Sequence, residues 1–146
     1  MNKKLVVGVV GLSMGKQHLA AAVQYGAEIA AICDINEKTL ASVGTEYGIP
    51  IQKQFTDYHV LVQNPHINLI IIAAPDQLHR QMCEDFLAAG KHVMCEKPLA
   101  LTRRDMQTII HATQKQDTKF MVGQICRFTP AFVKAKELID AGTIGE

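Results

Sequence analysis

Gly8, Gly11 and Gly15 stand close together in the stretch Gly8-Val9-Val10-Gly11-Leu12-Ser13-Met14-Gly15-Lys16, where an apolar β-branched run gives way to a helical pattern. Backbone amides at a helix N-terminus are unpaired and carry partial positive charge. A phosphate docks there if no side chain blocks its approach. The dinucleotide fingerprint is G-x-G-x-x-G. Here Ser13 takes the place of the middle glycine, and the third glycine arrives one residue early, at Gly15. Gly11 is expected to make the tight turn. Ser13 and Met14 follow it at the phosphate, and the Ser13 hydroxyl can itself donate. The competing reading is a glycine turn that only packs a helix against a strand.

Asp34 closes the second apolar run, 23 residues after Gly11. That is close to the separation of about 20 residues at which a dinucleotide site places an acid on the adenosine ribose. A carboxylate there accepts from both ribose hydroxyls and repels a 2′-phosphate. No arginine follows within four residues to accommodate such a phosphate, although Lys38 is nearby. The pair therefore favours NAD over NADP. Asp34 also suits a cap or a turn, and SAM-dependent methyltransferases place an acid at the same point, so turn and acid together leave the cofactor open.

These residues need strands and helices in strict alternation to hold them. Residues 5–10, 27–33, 69–74, 92–95 and 120–125 read as strands, with a further short strand around Ile51. Residues 15–25, 37–47, 78–89 and 102–114 read as helices, with a short one after Thr56-Asp57 and a last one carrying Phe128, Phe132, Ala135 and Ile139. Leu69 to Ala74 contains no polar residue, the pattern of a strand covered on both faces. The order implies an α/β fold, a doubly wound parallel sheet in three layers with right-handed crossovers.

Composition narrows the function classes. The chain has 146 residues, 48% hydrophobic and 20% charged, with a net charge of +1. That suits one globular domain and shows no electrostatic footprint for nucleic acid or an anionic membrane. No run approaches the roughly 20 apolar residues of a membrane span. The four cysteines form no C-x-x-C pair and the six histidines no metal spacing, so no metal is expected. Three of the cysteines lie in apolar runs, as buried reduced thiols of a cytoplasmic protein would.

Three further segments carry a resemblance: Ala74-Pro75-Asp76-Gln77-Leu78-His79, then Ala89-Gly90-Lys91-His92-Val93-Met94-Cys95-Glu96-Lys97-Pro98, then Val122-Gly123-Gln124 with Arg127-Phe128-Thr129-Pro130. In order and spacing they resemble the N-terminal half of the Gfo/Idh/MocA oxidoreductases, over essentially the whole chain. The resemblance implies a Rossmann domain at residues 1–125 and a junction helix at 126–146 leading to a second α/β domain, which usually mediates oligomerisation. It also implies NAD-dependent hydride transfer to or from a sugar, cyclitol or similar polyol. Glu96 and Lys97 are then expected beside the nicotinamide ribose, with Lys97 the catalytic group that reaches the substrate hydroxyl. Taken without the resemblance, they read as a surface pair before a proline. Ala74, Pro75 and His79 are expected along the cofactor, although His79 equally suits local packing at a helix start. Arg127 matches a family arginine near the domain junction, as cofactor contact or as bridge. The family's usual acid/base histidine has no counterpart here, so this chain is expected to be the cofactor half of an enzyme and inactive alone. The alternative is a dinucleotide-binding sensor without catalysis.

Overall fold

The computed structural model describes residues 4–115 and 117–145. Its strands are β1 (Val6–Val10), β2 (Glu28–Cys33), β3 (Gln54–Phe55), β4 (Leu69–Ile72), β5 (His92–Cys95) and β6 (Phe120–Val122). Its helices are α1 (Leu12–Gln24), α2 (Glu37–Glu46), α3 (His59–Gln63), α4 (His79–Ala88), α5 (Arg103–Thr113) and α6 (Pro130–Asp140). All strand pairs are parallel and the sheet order is β3-β2-β1-β4-β5-β6. The chain winds outward from β1 to β3, returns to β4 beside β1, and winds outward again. The order thus reverses between β1 and β4, and the strand ends splay apart there into a crevice.

Alternation along the central strands divides the core into two faces. Val7 and Val9 of β1 and Ile71 of β4 join Leu12, Leu19, Leu40 and Val43 from α1 and α2. Val10, Ile70 and Ile72 point the other way and join Leu61, Met82, Phe86 and Ile109 from α3, α4 and α5. Both faces are covered, which explains why these strands read as unbroken apolar runs. Gly15 presses α1 onto the sheet: a Cβ there would lie 3.0 Å from Val9 Cγ1 and 3.3 Å from Ala73 Cβ.

Four expectations need correction. The first helix begins at Leu12, not Gly15, because Gly11 makes the turn at once. Ile51 belongs to a 3₁₀ turn over Ile51–Lys53, and the third strand is Gln54–Phe55, where the backbone pairs with Ile32 and Cys33. The sixth strand ends at Val122, since the chain turns at Gly123 and runs into a 3₁₀ turn over Ile125–Phe128. The last helix starts at Pro130, whose fixed φ suits a first helical position. That helix buries none of its residues, and Phe128 and Phe132 are largely exposed.

Candidate functional site

Gly11 is the pivot of the site. Its φ is +82°, in the region that disfavours side chains, and a Cβ there would lie 2.5 Å from the Ala73 carbonyl oxygen. The turn can therefore sit directly on the backbone that leaves β4. The Gly11 amide donates to the Cys33 carbonyl at 2.8 Å, fastening the turn to the end of β2. The next amide, that of Leu12, donates to Asp34 Oδ2 at 2.7 Å. Among the described residues, the amides of Ser13 and Met14 donate to no protein group. Both side chains are exposed.

Asp34 is half-buried, and its other oxygen accepts from the Asn36 amide at 2.8 Å. The carboxylate is thus both a cap for α1 and a turn residue before α2. Each oxygen retains a lone pair for a further donor. Beside it opens a cleft of about 220 Å³, lined by Val10, Gly11, Ser13, Ile35, Thr56, Tyr58, Ala74, Pro75, Leu78 and Met82. Its floor is glycine turn and carboxylate, and its walls are apolar. The cleft's chemistry suits an adenosine and its phosphates: Asp34 could accept from ribose hydroxyls, Ile35, Tyr58 and Leu78 could flank a flat base, and the Ser13 and Met14 amides could donate to phosphate oxygens.

Along the row of strand ends from β4 to β5 lies Glu96, 8% exposed. Its Oε1 meets His18 Nε2 at 2.7 Å and its Oε2 accepts from the Lys97 amide at 2.9 Å. Burial pushes the Glu96 carboxyl up, but the His18 hydrogen bond and the Lys97 amide outweigh it and hold it below the usual range. Gly123 makes room, since a Cβ there would lie 3.2 Å from Glu96 Oε1. The Lys97 side chain is exposed and makes no ion pair among the described residues, so its ammonium is available at the mouth of the site.

The structure therefore brings Gly11, Ser13, Asp34, Ala74 and Pro75 to one cleft. Met14 stands beside it, and Glu96 and Lys97 follow along the strand ends. His79 needs correction: its ring is wholly buried and both nitrogens face backbone carbonyls, so it has no polar atom left for a cofactor. Arg127 lies on the 3₁₀ turn after β6, exposed, against Phe128 and Phe132, and is not among the cleft residues. Sequence reasoning missed His18 and Tyr58. The signal for His18 was its spacing: Gly11, Gly15 and His18 recur at four and three residues, one face of a helix. Cys33, Cys83 and Cys95 are buried free thiols and Cys126 is exposed. No group of metal-ligating residues occurs among the described residues, and no described helix is long and apolar enough to cross a membrane.

Fold and cleft together define a dinucleotide-binding domain of Rossmann type. The profile of an oxidoreductase family with an NAD-binding Rossmann fold matches residues 5–124, and the chain belongs to that family, Gfo/Idh/MocA. Inositol 2-dehydrogenase of Salmonella typhimurium is 36% identical over 146 residues, covering 97% of this chain and 43% of that protein. Myo-inositol 2-dehydrogenase of Thermotoga maritima is 32% identical over 142 residues, covering 96% and 42%. Among solved structures, scyllo-inositol dehydrogenase from Lactobacillus casei with bound NAD(H) and scyllo-inositol superposes with a TM-score of 0.90 at 30% identity, covering 99% of this chain and 43% of that one. The chain spans less than half the length of these relatives.

Proposed function

We propose that this chain holds the dinucleotide of an NAD-dependent oxidoreductase whose substrate is a cyclitol, sugar or similar polyol. The observation that carries the reading is the joint position of Gly11 and Asp34 on the floor of one cleft at the sheet's switch point. The residues present fit the cofactor: two unpartnered amides for its phosphates, a carboxylate for its adenosine ribose, and apolar walls for its adenine. NAD is favoured over NADP because a 2′-phosphate would meet Asp34, and the next residue is Ile35, not arginine. When bound, the nicotinamide supplies the hydride acceptor or donor. The chain's own groups do the rest. Glu96, clamped between His18 and the Lys97 amide, fixes the backbone from which Lys97 extends. The Lys97 ammonium then orients a substrate oxygen and stabilises the charge that develops on it.

The substrate class is supported by the relatives, which are named for inositols, and by a levoglucosan dehydrogenase complex with NADH and levoglucosan at a TM-score of 0.84. Four free thiols suit a reducing compartment such as the cytoplasm. Exposed Phe128, Phe132 and Ile139 suit a homo-oligomer or a further domain. Nucleic acid and membrane are not part of this reading. The test is calorimetric titration with NAD(H) and NADP(H), alongside an assay of NADH formation with inositols and sugars. NAD(H) binding is the expected result, and the assay reports whether these residues support turnover on their own. Absence of dinucleotide binding by the folded protein would refute the proposal.

A further inference from the structure

β5 ends at Cys95, and the backbone tie to the sheet ends one residue later, where the Glu96 amide donates to the Ile72 carbonyl at 2.8 Å. The next amide, that of Lys97, meets no backbone carbonyl among the described residues. It donates to Glu96 Oε2 at 2.9 Å instead. Pro98 has no amide to give. Its carbonyl faces His79 Nδ1 at 2.8 Å, which holds the far side of the segment. The near side, at Lys97 itself, depends on where the Glu96 carboxylate stands.

That carboxylate is buried and has two donors among the described residues, the Lys97 amide and His18 Nε2 at 2.7 Å. A carboxylate only accepts, so Nε2 carries the proton, and the contact survives whether or not Nδ1 is protonated as well. Two glycines make the arrangement possible. Gly123 leaves room beside Glu96 Oε1, and Gly15 lets α1 lie against Val9 and Ala73. His18 follows Gly15 by three residues on the same face of α1 and so arrives within reach of β5.

We infer that His18 is a positioning residue for Lys97: from α1 it fixes the Glu96 carboxylate, and that carboxylate fixes the Lys97 peptide at the mouth of the site. That Lys97 acts on a substrate rests on the function proposed above; the chain of hydrogen bonds from α1 to Lys97 does not. Met14, whose amide is free for a phosphate, and His18 lie one turn apart on the same rigid helix, about 6 Å along its axis. One helix thereby sets the distance between the phosphate turn and the segment that carries the ammonium.

Removing His18 leaves a buried carboxylate with one donor. Burial pushes the Glu96 carboxyl up, and the His18 hydrogen bond and the Lys97 amide hold it down. Without His18 the upward push prevails, and a protonated carboxyl is a weaker acceptor for the Lys97 amide. The titratable groups that face Glu96 are His18 from α1, Lys97 beside it and the Cys95 thiol before it; Gly123, after β6, brings none.

Nuclear magnetic resonance of the ¹⁵N-labelled protein, without added cofactor, is the test. An amide proton bonded to a carboxylate changes its shift when that carboxylate takes up a proton. In the wild type the Lys97 amide shift should stay constant as pH falls through the usual carboxyl range. In His18→Phe it should titrate within or above that range, and His18→Gln, which keeps an N–H donor, should restore the wild-type behaviour. At neutral pH, hydrogen exchange at the Lys97 amide should be about tenfold faster in His18→Phe, relative to the Val93 amide of β5. Equal acceleration at Lys97 and Val93 would make His18 a stability contact only and overturn the inference. So would a Lys97 amide that titrates alike in the wild type and His18→Phe, or one that His18→Gln fails to restore. NADH is titrated in parallel: no binding by a wild type that shows the expected Lys97 signals would count against the proposed function alone.

Discussion

Replacing Asp34 with Asn separates the two tasks of its carboxylate. In the protein, Oδ2 accepts from the Leu12 amide at 2.7 Å and Oδ1 from the Asn36 amide at 2.8 Å. A carboxamide has one acceptor oxygen, so it keeps one of these bonds and turns an NH₂ towards the other amide. Losing that bond, and the negative charge at the start of α1, should cost about 1–2 kcal/mol of stability. The effect on selectivity is separate. A 2′-phosphate of NADP would bring a second anion beside Asp34; at about 4 Å a unit pair repels by about 1 kcal/mol in water and about 4 kcal/mol near a protein surface. Asp34 is half-exposed, so the lower part of that range applies. About 1–2 kcal/mol is five- to thirtyfold in the ratio of dissociation constants. Fluorescence titration with NADH and NADPH should show the wild type preferring NADH and Asp34→Asn losing that preference by this factor. Urea unfolding, run in parallel, measures the cost to the α1 cap. A wild type that binds NADPH as tightly as NADH, or a folded variant with an unmoved ratio, would refute the reasoning.

Gly11→Val should lose the fold and not merely the ligand, because a Cβ meets the Ala73 carbonyl oxygen at 2.5 Å and the φ of +82° is strained for valine. The expected loss of about 2–5 kcal/mol would appear in a urea melt, and native stability would show the turn to be misread. Under the proposed function, Lys97→Ala should lower kcat/KM for polyol oxidation by about 100-fold or more while leaving NADH affinity nearly unchanged. Steady-state kinetics at an unaltered rate would return Lys97 to a surface role. Glu96 is held below the usual carboxyl range, so its contribution is complete above that range and is lost as pH falls through the depressed value. His18→Phe removes its partner and should move acid unfolding to higher pH, read by circular dichroism. Lys91 is 3% exposed and donates to the Asn64 and Ile67 carbonyls at 2.6 and 3.2 Å. Lys91→Met strips the Ile67 carbonyl of its donor and leaves the Asn64 carbonyl only the Ile67 amide at 3.4 Å, and should cost about 1–3 kcal/mol in a thermal melt.

Much of the fold was legible because its signals are local. Alternation of short β-branched runs with amphipathic stretches is enough to imply a doubly wound sheet, and the fully apolar Leu69 to Ile72 run announces a strand covered on both sides. Where the signal was weak, the reading slipped: β3 is two residues long and exists because Ile32 and Cys33 offer it a partner. Isoleucine at position 51 has the right propensity, but a single residue cannot say where pairing begins.

By itself, then, the sequence determined the order of elements, the glycine turn and the acid at its characteristic distance, because backbone conformation and periodicity are properties of neighbours. Only the tertiary structure decided what each candidate touches. Asp34 caps α1 across 22 residues, His18 holds Glu96 across 78, and His79 turns inward to Ala74 and to Pro98, 19 residues on. A side chain's hydrogen bonds are set by which strand ends lie side by side. In a parallel sheet that adjacency comes from crossovers, which join residues far apart along the chain and leave no mark in the spacing of either partner.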